Sequence, residues 1–384
     1  MEIVVTGIGL VSALGNLETS WKRLISGDSG IEIYQPFPEL SPRPLGLIGK
    51  TPTDLTSLTQ QVVAAALEDA GLVSPLPDCA VAIGSSRGCQ AAWERFRAEM
   101  SRNQRQSNSL AQNSFLENWL DTLPHQAAIA SARQIGASGP VLAPMAACAT
   151  GIWAIAQAFE LIQTGQCQRA IAGAVEAPIT PLTLAGFIQM GALAQTGAYP
   201  FDRRREGLVL GEGAAVLVLE SAELAKERGA SVYGQVLGWG LTADAHHVCA
   251  TEPGGREAIA AVKQCLERSR LSPADIDYIH VHGTSTQLND RHEAELIQHL
   301  FPQGVAVSST KGATGHTLGA SGAIGVAFCL KSLKHQLLPP CVGLREPEFD
   351  LDLLTAPRQA QIHNVLCFSF GFGGQNAVIA LGMG

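Results

Sequence analysis

The sequence predicts a layered α/β fold, and three observations lead to this prediction. Short apolar runs recur along the 384 residues and end abruptly in glycine, serine or cysteine. Segments with apolar residues at helical spacing lie between these runs. A glycine motif that leads into an apolar strand occurs near the end of each half of the chain. Strands and helices that alternate along a chain are typical of helices packed in layers against a sheet.

The predicted strands are continuously apolar rather than alternating, which indicates strands covered on both faces, as in buried parallel sheets. They read CAVAIGSS (79–86), VLAPMAAC (141–148), YIHVHGTST (278–286) and VAVSST (305–310). Functional sites of open α/β sheets lie at the carboxyl ends of such strands, so these ends are the first places to look for chemistry.

The predicted helices carry apolar residues three and four positions apart, as a helix with one buried face requires. They span residues 58–72, 256–271 and 292–301. Gly71 falls at the end of the first of these segments, where a glycine commonly terminates a helix.

An internal repeat predicts that the chain consists of two similar halves. LGEGAAVLVL (210–219) and FGFGGQNAVIAL (370–381) both run from spaced glycines into an apolar strand. The charged segment ESAELAKERGAS (220–231) separates them. We therefore expect a duplicated α/β unit whose halves are residues 1–230 and 231–384.

Composition excludes several classes of function. A hydrophobic content of 46% and a charged content of 16% suit an enzyme with a large buried core. The net charge of -8 argues against a nucleic-acid partner, because no large basic surface is available. The nine cysteines include no CxxC pair, which predicts free thiols in a reducing cytoplasm without disulfides or structural zinc.

Neither a targeting segment nor a membrane span is expected from the sequence. The first residues, MEIVVTGIGL, lack the basic region of a signal peptide. The longest weakly polar run, 139–156, is interrupted by Pro140, Pro144 and Gly151. A buried strand, turn and helix is therefore the better interpretation of that run, and we expect a soluble protein.

Cys148 stands in PMAACATGIWAIAQAF (144–159), at the turn between a predicted strand and a predicted helix. Unpaired N–H groups and the positive helix end favour a thiolate there, which predicts a lowered thiol pKa. The alternative is an inert buried thiol, which is our interpretation of Cys167, Cys265 and Cys329. From the turn alone, both interpretations of Cys148 stay open.

Two histidines and a lysine follow predicted strands far along the chain. His282 and His316 each lie just past a strand, beside a turn rich in glycine, threonine and serine. A single histidine at a strand end is usually structural, but two at carboxyl ends together indicate a site. Lys311 shares the loop of His316, and by itself it fits a solvated lysine equally well.

Taken in order, these motifs resemble the β-ketoacyl-acyl-carrier-protein synthases of the elongating KAS I/KAS II type, within the thiolase-like superfamily. The resemblance runs nearly end to end, through VVTGIGLVSALG (4–15), ACATG (147–151), YPFDRRREGLVLGEGAAVLVLE (199–220), TADAHHVCATEPGG (242–255), HGTSTQLND (282–290), STKGATGHTLGASG (309–322) and SFGFGGQNA (369–377). It implies a thiolase-like layered αβαβα fold built from two duplicated halves. The N-terminal half would carry the nucleophilic cysteine, and the C-terminal half would carry both histidines.

The resemblance also implies an activity and its partners. The activity is that of a 3-oxoacyl-[acyl-carrier-protein] synthase, an acyltransferase of fatty acid or related polyketide elongation. It joins an acyl thioester to malonyl-acyl-carrier protein in a decarboxylative Claisen condensation. The implied partner is acyl carrier protein loaded with acyl or malonyl groups, and the implied state is a cytoplasmic homodimer. No metal and no organic cofactor is implied.

The resemblance assigns a role to each candidate residue of the site. Cys148 is the nucleophile that accepts the acyl group, and His282 and His316 donate hydrogen bonds to the malonyl thioester oxygen as charge develops there. Lys311 adds positive charge and orders the site. Phe372 is a gate between flexible glycines, and its backbone N–H forms an oxyanion hole with that of Cys148.

One departure from the family pattern concerns the partner of the lysine. Gly325 stands where the family usually has a glutamate that pairs with the lysine. Lys311 therefore lacks that partner, unless Glu293, which matches another family acid, balances its charge. A smaller departure is Gln287, at a position where proline is common.

A further departure concerns the docking of the acidic carrier protein. Residues 51–86, which include the early helix that often offers basic side chains to the carrier, contain no lysine or arginine. Carrier docking is therefore expected on Arg203, Arg204 and Arg205, although such a DRRRE run is usually only a solvated turn.

Two alternative functions stay open on the sequence. GHTLGASG is similar to a thiolase motif, but the chain end, GFGGQNAVIALGMG, lacks the late Cys-Gly segment with which thiolases perform acid/base chemistry. A non-catalytic partner subunit similar to a chain-length factor would typically lack the cysteine. The presence of Cys148, His282 and His316 favours catalysis, whereas Gly325 leaves the second alternative open.

Overall fold

The structure is a computed structural model that describes residues 1–105 and 119–384. The strands of the first half are β1 (Ile3–Ser12), β2 (Gly15–Asn16), β3 (Glu32–Tyr34), β4 (Arg43–Leu45), β5 (Cys79–Gly84), β6 (Val141–Leu142), β7 (Arg169–Glu176) and β8 (Gly213–Ser221). Those of the second half are β9 (Gly234–Ala243), β10 (Tyr278–His280), β11 (Ala306–Ser308), β12 (Leu337–Leu338), β13 (Asp352–Leu353), β14 (Arg358–Gln359), β15 (Asn364–Gly371) and β16 (Gln375–Gly382).

Helices lie between many of these strands, and the last helix precedes β12. They are α1 (Leu17–Ile25), α2 (Leu55–Asp69), α3 (Gln90–Arg105), α4 (Gln126–Ile135), α5 (Thr150–Gln163), α6 (Pro181–Gln189), α7 (Ala222–Glu227), α8 (Arg256–Ser269), α9 (Gln287–Leu300), α10 (Lys311–Thr314) and α11 (Ser321–His335). Short 3-10 turns occur at Trp119–Thr122, Pro273–Asp275 and Leu318–Ala320.

One large sheet runs through the molecule in the order β13-β11-β10-β15-β16-β9-β1-β8-β7-β5-β6. From β1 outward, β8 and β7 pair antiparallel and β5 and β6 pair parallel. From β9 outward, β16 and β15 pair antiparallel and β10 and β11 pair parallel. The two ends of the sheet therefore repeat one scheme, and they join where β1 pairs antiparallel with β9.

Helices form the remaining layers around the sheet. The central pair, α5 and α11, contact each other and strands of both halves, because α5 contacts β7 and β16 while α11 contacts β15 and β8. On the outside, α2 and α4 cover the first half and α8 covers the second. The residues Ser321–Leu333 of α11 are all buried, as a helix between two sheet halves requires. This arrangement confirms the predicted layered α/β fold.

Side-chain caps explain where the predicted helix boundaries were wrong. The helix predicted from residue 58 begins at Leu55, because the Asp54 side chain accepts the Ser57 N–H at 2.9 Å. The helix predicted from residue 292 begins at Gln287, after a similar cap by Thr286. Gly71 lies just beyond the end of α2 with a φ of 64°, which confirms its predicted place.

The strand predicted over 141–148 was wrong beyond Leu142. Pro144 has no N–H to donate to a neighbouring strand, and the Ala146 N–H donates to the Thr150 hydroxyl instead, at 2.9 Å. The chain therefore runs as a loop up to Thr150, where α5 begins.

All nine cysteines lie in the described residues, and each is a free thiol. Within residues 1–105 and 119–384, no helix combines the length and apolarity that crossing a membrane requires.

Candidate active site

Cys148, His282 and His316 meet at one point, although they come from three separate loops. The cysteine Sγ and a ring nitrogen of each histidine all lie within 4.8 Å of one another. The three side chains are buried and line one cavity of about 100 Å³. The two imidazole rings are perpendicular, with centroids 5.2 Å apart.

The turn that carries Cys148 is held by hydroxyl groups. Ala147 has a φ of 48°, which a residue with a Cβ rarely adopts. The Thr150 hydroxyl stabilises this conformation, because it donates to the Ala147 carbonyl at 2.7 Å while it accepts the Ala146 N–H. The Ser369 hydroxyl donates to the Cys148 carbonyl at 2.9 Å and ties the turn to β15.

The predicted lowered pKa of the Cys148 thiol was wrong. Burial raises the pKa of Cys148 to about 11, although the Lys311 charge and the backbone N–H of Phe372 act in the opposite direction. Only 7% of the residue is exposed, so a thiolate at this position would lose most of its hydration. At neutral pH Cys148 is a thiol, and it needs a base before it can act as a nucleophile.

The two histidines supply neutral imidazoles next to this thiol. Burial, reinforced by the Lys311 charge, holds the pKa of His282 and of His316 well below the ordinary value. The His316 ring is oriented by the Ser321 hydroxyl, which lies 2.9 Å from its Nδ1. A neutral imidazole can accept a proton or donate its own N–H, and both abilities are available at this position.

The loop that carries His282 is fixed by a buried carboxylate. Glu293 accepts the N–H of His282 at 2.7 Å and that of Gly283, and Asn289 donates to it at 2.8 Å. Burial raises the pKa of Glu293 to about 7, against the effect of these N–H groups and of Lys311. Glu293 therefore holds the backbone of the histidine loop, and its charge acts on Lys311 from that position.

Lys311 is buried behind the histidines. Its ammonium group donates to the carbonyl oxygen of His282, and it lies 3.4 Å from the Nδ1 of the same residue. Burial lowers the pKa of Lys311, while the charges of Glu293 and Cys148 oppose that effect. The solvated-loop interpretation of this lysine was therefore wrong, because only 4% of the residue is exposed.

The space next to Gly325 is already filled. A Cβ at this position would lie 2.8 Å from the Cys367 sulfur and 2.8 Å from two atoms of the His280 ring. A glutamate at this position would therefore collide with both side chains.

Gln287, which stands where proline is common in the family, has a local structural role. Its side chain donates to the Arg205 carbonyl at 2.6 Å.

Phe372 lies in the turn between β15 and β16, beside the cavity. Its half-buried ring stacks on Phe187, with centroids 6.1 Å apart. A Cβ at Gly371 would lie 2.9 Å from the Ala146 carbonyl and 3.0 Å from the Cys148 nitrogen. A glycine is therefore required for the close approach that brings the Phe372 N–H to the Cys148 sulfur.

The prediction that Arg205 docks a carrier protein was wrong, because Arg205 is 2% exposed. Its guanidinium forms an ion pair with Glu348 and lies 3.8 Å from Asp290, which makes it a structural residue. Arg204 is exposed, and it binds both carboxylate oxygens of Asp202 at 2.8 Å. Arg203 is exposed.

Ser321, Ser369 and His280 are site residues that our sequence reasoning missed. Ser321 and Ser369 lie in the same glycine-rich motifs as His316 and Phe372, so a search for hydroxyl groups in these motifs would have found them. His280 is two residues before His282, on the same face of an extended segment.

Two family models match the chain. The model described as the N-terminal domain of β-ketoacyl synthase matches residues 50–225, and that of the C-terminal domain matches residues 233–345.

Curated proteins also match the chain. A 3-oxoacyl-[acyl-carrier-protein] synthase 2 from Staphylococcus aureus (strain MRSA252) is 33% identical over 411 residues, which cover 99% of this chain and 97% of that protein. A protein of the same name from Synechocystis sp. is 41% identical over 262 residues, which cover 65% of this chain and 63% of that protein.

Solved structures have the same fold. One is a type II PKS acyl-carrier protein in complex with its ketosynthase bound to the hexaketide, with a TM-score of 0.92 and 27% identity over 100% of this chain and 99% of that chain. Another is a β-ketoacyl synthase from Burkholderia phymatum STM815, with a TM-score of 0.89 and 26% identity at the same coverage of both chains. The structure is thus a thiolase-like αβαβα fold, and the chain belongs to the β-ketoacyl synthase family of acyl-transferring condensing enzymes.

Proposed function

We propose that this chain is a 3-oxoacyl-[acyl-carrier-protein] synthase that elongates acyl chains of fatty acids or related polyketides. The single observation that carries this proposal is the meeting of a buried thiol and two neutral imidazoles, within 4.8 Å, around one cavity. A thiol suits the storage of an acyl group, because the thioester it forms resembles the thioester of the carrier from which the group comes.

In the first step, a neutral imidazole takes the proton of Cys148, and the thiolate attacks the acyl carbonyl. The backbone N–H groups of Cys148 and Phe372 stabilise the oxyanion of the tetrahedral intermediate. The bond to the carrier sulfur then breaks, and the carrier thiol leaves with the proton. The acyl group remains on Cys148 as a thioester.

In the second step, the carbon–carbon bond of the malonyl group breaks, and carbon dioxide leaves without the bonding electrons. Those electrons form an enolate whose oxygen accepts hydrogen bonds from the His282 and His316 rings. The enolate carbon attacks the acyl group, and Cys148 leaves as a thiolate. Lys311 supports this step, because it binds the carbonyl oxygen of His282 and adds positive charge.

The thiolase and chain-length-factor alternatives are not favoured. The curated relatives are named 3-oxoacyl-[acyl-carrier-protein] synthases, and those from Staphylococcus aureus match this chain nearly end to end. The absence of the family glutamate at Gly325 has a local packing reason, because His280 and Cys367 fill the space where a longer side chain would lie.

The proposal also covers the partner of the enzyme, its oligomeric state, its location and the boundary between its halves. Acyl carrier protein is the proposed partner, which is supported by the related structure of a ketosynthase in complex with its acyl-carrier protein. Arg203 and Arg204 remain candidates for docking this carrier, because both are exposed. We also propose a homodimer in the cytoplasm, where a reducing environment suits nine free thiols. The repeated strand order supports a boundary between the halves near residue 230.

The test is an elongation assay with carrier-bound acyl chains of graded length and malonyl-carrier protein, read by mass spectrometry. We expect 3-oxoacyl products that are longer by the acetyl unit left from malonate. Thiolysis of acetoacetyl-CoA without elongation would support a thiolase instead. Failure of every acyl chain to label the protein would support a non-catalytic subunit.

A further inference from the structure

His280 is a buried histidine that the proposed chemistry does not use. It is the last residue of β10, and His282 follows two positions later, just past the end of the strand. The His282 ring reaches the cavity, while the His280 ring lies behind it against α11, where it would meet a Cβ at Gly325.

The His280 ring connects the two loops of the site. Its Nε2 forms a hydrogen bond of 3.1 Å with the Thr310 hydroxyl, and Thr310 immediately precedes Lys311. The Thr310 carbonyl accepts the N–H of Ala313 and of Thr314, so it anchors the short helix α10. A single side chain thus joins the strand that leads to His282 with the residue that begins the Lys311 turn.

The other side of the ring is enclosed just as tightly. The His280 Nδ1 lies 3.7 Å from the Cys367 sulfur on β15. Helix α11 passes beside both groups, and only a residue without a Cβ fits at Gly325, since a Cβ would lie 2.8 Å from each of them. Gly325 has ordinary helical backbone, so this crowding is the reason for glycine at the position.

We propose that His280 is a positioning residue that fixes the distance between Lys311 and His282, and that Gly325 provides the space for its ring. This inference rests on the proposed function of the site, and it deepens that function. His280 acts through the Thr310 hydroxyl and is not assigned contact with the reacting atoms. A displacement of about 1 Å in such a site lowers the rate about 100-fold, so a single hydrogen bond at this place has a measurable effect.

Three variants test the hydrogen bond and the space for the ring. Thr310→Val removes the hydroxyl and nearly keeps the shape, and His280→Gln keeps a polar group that can reach Thr310. Gly325→Ala pushes a methyl group against the His280 ring. The matched control is Gly186→Ala, because Gly186 also lies in a helix, α6, but a Cβ there has no neighbour within 4 Å.

The readouts are the rate of malonyl-carrier decarboxylation and the rate of acyl transfer to Cys148, each per folded molecule. We expect Thr310→Val and Gly325→Ala to lower decarboxylation about tenfold and acyl transfer less than about threefold. His280→Gln should stay within about threefold of the unsubstituted enzyme in both. The Gly186→Ala control should leave both rates unchanged.

A third readout does not depend on the proposed function. Iodoacetamide alkylation of Cys148, followed by mass spectrometry, reports the thiolate fraction, to which the Lys311 charge contributes. If Lys311 moves away and the thiol pKa rises by about half a unit, alkylation slows about threefold at a fixed pH below that pKa.

The outcomes separate the two proposals. Unchanged alkylation in both Thr310→Val and Gly325→Ala, or equal losses of decarboxylation and acyl transfer in these variants, would overturn the positioning role. Absence of condensation by the unsubstituted enzyme would instead overturn the proposed function, and the alkylation rates would still decide the role of His280.

Discussion

The carbonyl oxygen of Cys148 accepts a hydrogen bond of 2.9 Å from the Ser369 hydroxyl, although 221 positions separate these residues in the chain. The bond joins the turn of the proposed nucleophile to β15, three residues before Phe372. The two backbone N–H groups that we assign to the oxyanion hole come from these two segments. Their relative position is therefore set partly by this serine.

Ser369→Ala should lower the rate of acyl transfer to Cys148 about three- to tenfold, because one restraint between the two N–H groups is lost. The unfolding free energy should fall by about 1 kcal/mol, as for other buried hydrogen bonds. The measurements are single-turnover acylation and urea unfolding. The control is Ser332→Ala, which removes a buried bond of 3.0 Å to the Phe328 carbonyl within α11. Equal acylation rates in these two variants would contradict the role of Ser369.

Gly371→Ala should reduce acyl transfer by about 100-fold or more, because its methyl group would lie 2.9 Å from the Ala146 carbonyl and force the Phe372 N–H away from the sulfur. The control is Gly373→Asn, at a position with open space and a φ of 79° that asparagine tolerates. We expect the control to keep most of the activity in the same acylation assay. A Gly371→Ala enzyme with full activity would mean that the turn adapts and that its close approach is not needed.

Local sequence patterns predicted much of the fold and of the site. Continuous apolar runs gave the strands, and the motifs around Cys148, His282 and His316 predicted that these residues meet. Helix starts were missed, since the Asp54 and Thr286 caps lie before the apolar periodicity begins. Such caps can be found only by a search for side-chain acceptors ahead of each helix.

The properties that could not be predicted depend on packing between distant segments. The raised pKa of Cys148 results from burial of a turn that looks open in the sequence. Arg205 lies in a run of charged residues, but its partners Asp290 and Glu348 come from much later in the chain. The fit of His280 beside Gly325 involves two segments whose contact no local pattern reveals.

His316→Ala should lose malonyl decarboxylation by about 100-fold or more, because one of the two proposed donors to the enolate oxygen is removed. Acyl transfer should fall less, since His282 can still take the thiol proton. The measurements are carbon dioxide release from malonyl-carrier protein and acyl labelling of Cys148. An exposed histidine, as in His363→Ala, serves as the control. Equal losses in the two steps would show that His316 does not act mainly on the enolate.

Arg205→Met should destabilise the fold by about 3–5 kcal/mol, because Asp290 would remain buried after the loss of its cationic partner. Arg203→Ala, on the exposed neighbour, should change the unfolding free energy little and instead raise the KM for the carrier protein. Urea unfolding and carrier titration measure the two effects. If Arg205→Met kept full stability and only weakened carrier binding, the structural assignment of Arg205 would be wrong.

The stability of the enzyme should depend on pH through Glu212. This carboxylate is buried and accepts the N–H groups of Ile48 and Thr53 at 3.2 and 2.7 Å. Burial raises the pKa of Glu212 from 4.5 to about 7. A group whose pKa is higher in the folded state contributes stability that is full below its unfolded pKa and is lost as the pH rises through its folded pKa. The contribution of Glu212 should therefore decline between about pH 4.5 and pH 7.

Glu212→Gln removes this titration, so the unfolding free energy of the variant relative to the original enzyme should rise with pH. The relative gain between about pH 4.5 and pH 8 should be on the order of 3 kcal/mol, and urea unfolding at a series of pH values measures it. Glu206→Gln is the matched control. Against the effect of burial, hydrogen bonds from Thr196 and Gln195 hold the pKa of Glu206 below its ordinary value. The Glu206 carboxyl group completes its titration below about pH 5. The unfolding free energy of Glu206→Gln relative to the original enzyme should therefore not change with pH above that value. Parallel curves for Glu212→Gln and the original enzyme would mean that the pKa of Glu212 is the same in the folded and the unfolded protein.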